Sequence, residues 1–500
     1  MNVIDKPSVI VIGAGIGGIA TAAHLAQRGL HVTVVEKNSR PGGRCDRFVR
    51  DGHHFDSGPT LLVMPLVYEA EFAALGASLH EMVDLRRVDP TYHLVFDDNS
   101  RLELTSDMKQ LQTQLEQIEP GSFHGLLRYL EEGGRHYQVA MEKLVNRDFR
   151  RAAEFFSLAN IPLLYQIKPT VKHYNNMARY FDNPRLKAAF TFQDVYMGLS
   201  PFEAPATFSM MPYTELAHGV WYPKGGMYRI VEALVEIAQA AGVEFVYQTA
   251  VTQITLNGEE VTGVVLADGR SLKADAIVAN ADLPYVYQNL LPANRTAQKM
   301  KRKRYSCSVI SFFWGVDKPY PQLPPHTLFL ADDYQGNFDS IIDDLTLPQT
   351  PCLYIHAPAR LDASMAPPGE DTIIAIAPVG HLDETGEQDW PQIRQRARQA
   401  VFKRLADLGI TDLEAHLKFE VNYTPLSWRK RYNLVKGATH GLGHNLTQLG
   451  YMRPHNRHGQ YHNLYFVGAS THPGTGVPTA LVSARLTATR LLEEMGIGRQ

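Results

Sequence analysis

The feature that most constrains this chain is a glycine-rich turn near its amino terminus, within SVIVIGAGIGGIATAAHLAQRG over residues 8–29. The run Ser8–Ile12 is apolar and β-branched, which is typical of a buried parallel strand. In the G-x-G-x-x-G that follows, Gly13 permits a tight turn, Gly15 lets the backbone approach a pyrophosphate, and Gly18 lets a helix lie close to the strand. The free N–H groups at the start of that helix favour a phosphate.

A second apolar run, His31–Val35, ends on an acidic residue, Glu36. Glu36 lies 18 residues after Gly18, close to the spacing of about 20 at which an acid accepts from a ribose hydroxyl. The motif alone also occurs in ordinary glycine turns, but strand, helix, strand and acid together indicate a dinucleotide site. An acid here disfavours a 2′-phosphate, so FAD or NAD is favoured over NADP.

Length and charge bound the class of protein. A chain of 500 residues exceeds one simple core and predicts two or three domains. Its composition, 44% hydrophobic and 20% charged, is that of a folded globular protein. The net charge of −3 gives no bias toward nucleic acid, so we expect no nucleic-acid partner.

Cysteine and histidine usage predicts neither a disulfide framework nor a metal site. Cys45, Cys307 and Cys352 are far apart and odd in number, which suits a reducing cytosol. The C-terminal histidines at 440, 444, 455 and 458 lack metal-ligand spacing. We see no signal peptide and no apolar run near 18 residues, and therefore expect a cytoplasmic protein without a membrane span.

Strand patterns recur far from the first strand. Gly242–Tyr247, Asp275–Asn280 and Asn463–Ser470 could complete the nucleotide-binding sheet, which would make that domain discontinuous. Other strand-like runs predict a second sheet in an inserted domain; these are Ser308–Val316, Leu353–Ala357 and Thr372–Pro378.

Two surface candidates stay open. The apolar segment Phe155–Ile167 has basic flanks and fits either a membrane interface or a helix packed over a core. The dense basic run Lys299–Arg304 fits a solvated face or a contact with anionic lipid.

Three loops carry candidate site residues. Arg44, after a Pro-Gly-Gly turn, could reach a pyrophosphate or remain solvated. The turn Phe55–Thr60 is expected beside a cofactor ring, and Trp221–Met227 reads as a Pro/Gly loop before a helix. In the C-terminal turn before the helix at 479–494, small residues would let backbone lie against a flat ring. His472 in that turn could be an acid/base or a structural hydrogen-bonding residue.

The chain resembles the bacterial-type carotenoid (phytoene) desaturases of the flavin-dependent amine-oxidase-like superfamily, over essentially its whole length. The residues that carry the resemblance are 13–18 with Glu36, 40–44, 56–60, 221–226, 353–358, 453–457 and 463–483. The last of these, similar to the family's C-terminal signature, is the most specific. Ser470 and Thr479 stand where some relatives carry glycine, which blurs the subfamily.

The resemblance implies non-covalent FAD as the cofactor. It places the pyrophosphate at the glycine turn, the ribose at Glu36, the phosphates at Arg44, the adenine near Val251 and the isoalloxazine against the loop 468–478. The implied cofactor-binding residues are Gly13, Ala14, Gly15, Ile16, Gly17, Gly18, Glu36, Lys37, Arg44, Pro59, Thr60, Val251, Gly468, Ala469, Gly476, Val477 and Pro478. It gives no metal site, and no catalytic acid/base pair is assigned.

The implied activity is a multi-step dehydrogenation of phytoene toward neurosporene or lycopene, by hydride transfer to flavin N5 and proton loss. A quinone or oxygen would accept the electrons, and the enzyme would lie peripherally on the cytoplasmic membrane. Alternatives are a sister desaturase of dehydrosqualene or a later carotenoid, a carotenoid isomerase or oxygenase, an amine oxidase, and a Rab-escort-like binding protein without flavin.

The expected fold class is α/β, with a discontinuous Rossmann-type FAD-binding domain, an inserted mixed α+β substrate domain and a helical membrane-associating region. The expected segments are 1–125, 225–285 and 456–500 for FAD, 126–224 for the helical region and 286–455 for the substrate domain.

Overall fold

The glycine-rich turn joins the first strand to the first helix of the structure, a computed structural model that describes residues 6–498. The strands are β1 (Ser8–Ile12), β2 (His31–Val35), β3 (Arg47–Arg50), β4 (His53–Asp56), β5 (Leu85–Val88), β6 (Tyr92–Val95), β7 (Arg101–Leu104), β8 (Val220–Pro223), β9 (Glu244–Val246), β10 (Val251–Asn257), β11 (Glu260–Leu266), β12 (Ser271–Lys273), β13 (Ala276–Ala279), β14 (Ser308–Val316), β15 (His326–Phe329), β16 (Leu353–His356), β17 (Asp371–Val379), β18 (Leu417–Tyr423) and β19 (Leu464–Phe466).

Helices connect these strands and form a separate helical region between β7 and β8. They are α1 (Ile16–Ala26), α2 (Pro65–Ala74), α3 (Leu79–Met82), α4 (Met108–Ile118), α5 (Ser122–Ala140), α6 (Ala152–Phe155), α7 (Ile161–Ile167), α8 (His173–Met177), α9 (Pro184–Ala189), α10 (Met210–Ala217), α11 (Tyr228–Ala240), α12 (Leu283–Tyr285), α13 (Arg295–Lys301), α14 (Tyr334–Ile342), α15 (Trp390–Asp407), α16 (Pro425–Tyr432) and α17 (Val477–Glu494). Short 3₁₀ and π turns supplement them, among them the 3₁₀ turn Phe192–Met197.

The first sheet is parallel and draws its strands from three distant parts of the chain, in the order β19-β13-β1-β2-β9. In register, Val11 lies between Val278 of β13 and Val34 of β2. Both faces are apolar because other elements cover them. Helices α1, α11 and α17 bury the face of Val9, Val11 and Val32, and strands β10 and β11 help to bury the face of Ile10 and Ile12. The predicted recruitment of distant strands into this sheet is confirmed.

The second sheet has seven strands in the order β18-β14-β17-β16-β15-β6-β7, antiparallel except for the parallel pair β15–β6. The predicted strands around 308–316, 353–357 and 372–378 are confirmed as β14, β16 and β17. Its two last strands, β6 and β7, come from within the expected FAD-binding segment 1–125. Buried and less buried residues alternate along much of β6 and β7, which is typical of a half-buried hairpin. This alternation does not identify which sheet the hairpin joins.

The apolar segment Phe155–Ile167 is not one helix. It is divided between the end of α6, a 3₁₀ turn and α7, because Pro162 can occupy only the first turn of a helix. Five of its large side chains are exposed, by 44% to 86%; they are Phe156, Leu158, Ile161, Leu164 and Tyr165. The prediction that these residues pack over a core is therefore wrong.

Three other local expectations differ from the structure. Residues Val220–Pro223 pair as β8 with β5, although a loop was expected from Trp221 onward; the alternate buried Val220 and Tyr222 explain the strand. The last parallel strand ends at Phe466, and the backbone then turns through Gly468 at φ +109°. Helix α17 begins two residues earlier than expected, with Pro478 in its first turn, where proline has no hydrogen bond to lose.

Within residues 6–498, no helix combines the length and apolar character needed to cross a membrane.

Candidate functional site

One cavity of about 520 Å³ begins at the carboxyl ends of the parallel strands. Gly13 follows β1, Glu36 follows β2, Asn280 follows β13 and Val467 follows β19, and all four line it. Ligands of open parallel sheets bind at this edge. The volume is in the range of about 300–1,000 Å³ that is typical of ligand sites.

The glycine turn is packed too closely for side chains. Gly13 has φ +97°, which disfavours any residue with a Cβ. A Cβ on Gly18 would lie 2.3 Å from the carbonyl oxygen of Gly13, and one on Gly15 would lie 2.7 Å from Nδ2 of Asn280. Glycine at position 15 therefore makes room for Asn280 in the wall of the cavity, and Gly18 brings α1 against the turn.

Glu36 is held in one orientation by the backbone. One carboxylate oxygen accepts the N–H of Ala14 and the other accepts the N–H of Asn38, both at 2.8 Å. The side chain is 5% exposed. Since each carboxylate oxygen has two lone pairs, capacity remains to accept hydroxyl groups of a ligand.

The next residue, Lys37, lines the cavity but is engaged elsewhere. Its ammonium group donates to the carbonyl of Lys430 at 3.1 Å and to Oδ1 of Asn433 at 2.8 Å. Burial lowers the pKa of Lys37, and Glu36 opposes that shift. Lys37 therefore ties the turn after β2 to the loop after α16.

Arg44 provides positive charge in the wall of the cavity. Its Nη1 donates to the carbonyl of Thr439 at 2.6 Å, and across residues 6–498 the structure gives it no ion pair. Burial lowers its pKa, and the nearby Asp282 raises it. A guanidinium with five N–H donors and one protein partner fits a phosphate-bearing ligand.

Asp282 lies directly after the turn that follows β13. Its carboxylate accepts the hydroxyl of Ser470 at 2.6 Å and the N–H of Val435 at 3.1 Å. Burial raises the pKa of Asp282, and these hydrogen bonds and Arg44 oppose the rise. Asp282 thus joins the C-terminal turn to the first sheet.

The structure brings nearly all the expected cofactor residues to the wall of this one cavity. Those that line it are Gly13, Gly15, Ile16, Gly17, Glu36, Lys37, Arg44, Pro59, Thr60, Val251, Gly468, Ala469, Gly476, Val477 and Pro478. Ala14 and Gly18 lie behind the wall: Ala14 orients Glu36, and Gly18 packs on the turn. The arrangement fits an elongated ligand with phosphates at the glycine turn and a flat ring at the small-residue loop.

The C-terminal loop is held by a buried arginine. Arg453, 1% exposed, donates to the carbonyls of Thr471, at 2.8 Å, and of Ala469, both of which line the cavity. Burial lowers the pKa of Arg453 to about 9. Its hydrogen bonds fix the backbone that leads to the amino end of α17.

His472 does not face the cavity. It is 5% exposed and its ring packs against Phe149 at 5.7 Å between centroids. Burial lowers its pKa to about 4. This placement argues against an acid/base role of His472 at the site. Across the described residues, no cluster of His, Cys, Asp and Glu is arranged to hold a metal ion.

Several polar residues at the site were not expected from the sequence. Asn280 and Asp282 follow β13, and their place after a predicted parallel strand was a usable signal. Tyr92, Tyr196 and Tyr354 come from the second sheet and the helical region, and no local pattern identifies them. The hydroxyl of Tyr354 is 2.7 Å from Oγ1 of Thr60 and 2.7 Å from Nδ1 of His326.

Beyond the glycine turn the cavity becomes apolar. It runs between the second sheet and the helical region, where the lining side chains are mainly aliphatic, thioether and aromatic; they include Val63, Met64, Met197, Phe208, Met211, Leu328 and Ile376. The same cavity therefore joins an anion-binding turn to an apolar chamber.

The model of the family described as flavin containing amine oxidoreductase matches residues 16–492. Among curated proteins, a phytoene desaturase of Fusarium fujikuroi is 41% identical over 98% of this chain and 90% of its own length. A zeta-carotene-forming phytoene desaturase of Myxococcus xanthus is 40% identical over 97% of this chain and 93% of its own. A 4,4'-diapophytoene desaturase (4,4'-diaponeurosporene-forming) of Staphylococcus haemolyticus is 34% identical over 98% of this chain and 100% of its own.

Among solved structures, a putrescine oxidase variant superposes with a TM-score of 0.66 over 98% of this chain and 99% of its own, at 15% identity. At 15% sequence identity, this structural similarity establishes a shared fold and nothing more.

Proposed function

The chain belongs to the flavin-containing amine oxidoreductase family, and from this membership we propose that it is an FAD-dependent desaturase of phytoene. The observation that carries the proposal is the single cavity that joins the glycine turn to an apolar chamber. A dinucleotide cofactor suits the first part, and a long hydrocarbon suits the second. FAD is the cofactor of this oxidoreductase family, and when bound it supplies hydride acceptance.

For the cofactor, the proposal assigns each part of FAD to residues that face the cavity. The backbone of Gly13, Gly15 and the start of α1 would bind the pyrophosphate, with Arg44 as the charged partner. Glu36 would accept from the ribose. The small residues at 468–469 and 476–478 would lie against the isoalloxazine, where the amino end of α17 stabilises negative charge.

For the substrate, the apolar chamber would hold a polyene by shape and by exclusion of water. The reaction removes a hydride and a proton from neighbouring carbons, and the charge left on the substrate spreads along the conjugated system. Alignment of the reacting carbons therefore accounts for much of the catalysis. We propose several successive steps toward neurosporene or lycopene, with a quinone or oxygen as the final electron acceptor.

For the location, we propose peripheral contact with the cytoplasmic membrane through the exposed apolar residues of 156–165. Large apolar side chains exposed by 44% to 86% in one short segment are uncommon on a soluble surface. Lys168 at its carboxyl end makes an ion pair with the buried Glu132, which would anchor the segment to the body of the protein. The basic run Lys299–Arg304 is largely exposed and is the second candidate surface.

The domain division remains part of the proposal. FAD-binding segments at 1–125, 225–285 and 456–500, a helical region at 126–224 and a substrate domain at 286–455 fit the strand orders, with β6 and β7 assigned to the substrate domain. We propose a Rossmann-type topology for the parallel sheet.

Pigment analysis after co-expression with a phytoene-producing pathway tests the proposal, with Gly15→Val as the matched control. We expect coloured products whose absorption maxima count the added double bonds, and none from the variant, whose side chain would meet Asn280. Unconsumed phytoene with FAD still bound would instead favour a sister substrate, such as the shorter diapophytoene. Oxidation of amines, or absence of flavin from the purified protein, would overturn the desaturase proposal.

A further inference from the structure

A buried carboxyl group lies behind the wall of the apolar chamber. Glu215, on α10, is 4% exposed. The hydroxyl of Tyr92 donates to Oε1 of Glu215 at 3.2 Å, and Nε2 of Gln193 donates to Oε2 at 3.0 Å. The hydroxyls of Tyr92 and Tyr196 are hydrogen-bonded to each other. Across residues 6–498, no cationic side chain pairs with Glu215.

The two tyrosines connect this carboxyl group to the cavity. Tyr92 and Tyr196 line the chamber, whereas Glu215 does not. Glu215 and Tyr92 also border a small separate space on the far side of the wall, with Gln193 and Leu216. A continuous chain of hydrogen bonds therefore runs from the chamber through the phenols to a carboxylate that substrate does not touch.

The surroundings of Glu215 suit a group that gains and loses a proton. Burial raises its pKa to about 7, and the hydrogen bonds from Gln193, Tyr92 and Tyr196 oppose that rise. The titratable groups that face it are phenols, Tyr92 from β6, Tyr196 from the 3₁₀ turn and Tyr129 from α5, and burial raises the pKa of each. Near neutral pH the carboxyl group is thus the group in this cluster that can accept a proton.

We infer that Tyr196 and Tyr92 relay the proton lost by the substrate to Glu215. This inference rests on the proposed function and adds the destination of its proton. The C–H bond on the second carbon breaks, and its electron pair becomes the new π bond. The proton binds the phenol oxygen of Tyr196, the proton of Tyr196 moves to the oxygen of Tyr92, and the proton of Tyr92 moves to the Glu215 carboxylate. The companion hydride, with its electron pair, goes to the oxidant of the proposed function.

Glu215→Gln tests the relay because it keeps the shape of the side chain and removes the ionisable group. We expect turnover of phytoene in liposomes to fall about 100-fold, with FAD content unchanged. The wild-type rate should rise with pH through about 7, as the carboxyl group ionises, and the variant should lose that rise. A structural role alone would lower stability and leave the shape of the pH profile unchanged.

Tyr92→Phe/Tyr196→Phe provides a second test that leaves Glu215 in place, and we expect it to match Glu215→Gln in rate. Tyr129→Phe is the matched control: Tyr129 is a buried phenol bonded to His173 and lies outside the cavity wall, so its loss should leave the pH profile intact. Infrared spectra of the purified wild type minus those of Glu215→Gln should show a carboxyl band that titrates near pH 7, since the band of Asp56, whose pKa burial also raises to about 7, is common to both proteins and cancels.

Two results would overturn the relay alone: an unchanged rate and pH profile in Glu215→Gln beside an active wild type, or no titrating carboxyl band in the difference between the wild-type and Glu215→Gln spectra. An inactive wild type, with phytoene and either acceptor, would overturn the proposed function and the relay with it. The wild-type assay thus separates the two failures.

Discussion

The carboxylate of Glu36 accepts the backbone N–H of Ala14 at 2.8 Å, which fixes the acid beside the glycine turn. Glu36→Gln replaces an acceptor oxygen with an NH₂ group, which would face an N–H of Ala14 or Asn38. A hydrogen bond to a charged group contributes about 1.5–3 kcal/mol, so we expect the FAD dissociation constant to rise roughly 10- to 100-fold. Fluorescence titration of the apoprotein measures it. Glu244→Gln, exposed on β9 of the same sheet, is the control; equal affinities would contradict the assignment.

Gly18→Ala tests the packing of α1 against the turn. The added Cβ would lie 2.3 Å from the carbonyl oxygen of Gly13, so either the helix or the turn must move. Overpacking of this kind costs about 1–3 kcal/mol, and we expect a lower melting temperature together with weaker FAD binding. Gly459→Ala, where a Cβ meets nothing within 4 Å, should change neither. Unchanged melting and affinity in Gly18→Ala would refute the close-packing role.

The nucleotide half of the site was predictable because its residues occupy fixed places around one strand–turn–helix unit. Gly13, Glu36 and the distant strand β13 follow from local pattern and spacing, and the structure brings them together. The chamber was not predictable in the same way. Tyr92 and Tyr196 are 104 residues apart and meet only through the packing of β6 on the helical region. A single sequence contains no local signal for such a contact.

The exposed segment can be tested by removing apolar surface without touching the core. Leu158 and Tyr165 are 83% and 86% exposed, so Leu158→Ser/Tyr165→Ser should leave the melting temperature unchanged. Full burial of one large apolar side chain contributes about 1.5–3 kcal/mol, and we expect binding to liposomes to fall roughly tenfold or more.

Val49→Ser/Leu127→Ser is the control for that experiment, since these residues are 51% and 45% exposed elsewhere on the surface. An equal loss of liposome binding in the two double variants would contradict a specific role of residues 156–165 in membrane contact. Charge reversal across Lys299–Arg304 tests the second candidate surface. If this run contributes to liposome binding, the reversal should weaken binding at low salt and have no effect at high salt, where exposed charges are screened.

Asp56 provides a pH-dependent contribution to stability. Its carboxylate accepts the N–H groups of Met227 and Tyr228 at the start of α11, and burial raises its pKa from 3.8 to about 7. The folded protein therefore retains a proton that the unfolded chain releases above about pH 4, so this contribution to stability falls as pH rises from 4 to 7. Asp56→Asn lacks that titration. We expect the melting temperature of the wild type, relative to Asp56→Asn, to decrease over that window; a constant difference would contradict the shift.

Arg453 tests how far the C-terminal loop depends on one buried cation. Besides Thr471 and Ala469, its guanidinium donates to the carbonyls of Gly443, Gln448 and Leu442 at 3.1–3.3 Å. A lysine has three donors on one nitrogen, so Arg453→Lys leaves buried carbonyls unpaired, at about 1–3 kcal/mol each. We expect a lower melting temperature and less bound FAD, since the loop lines the cavity. Calorimetry and flavin absorbance measure both. The control Arg270→Lys, on an exposed pair with Asp268, should alter neither, and a similar result for the two variants would show that the loop is held by other contacts.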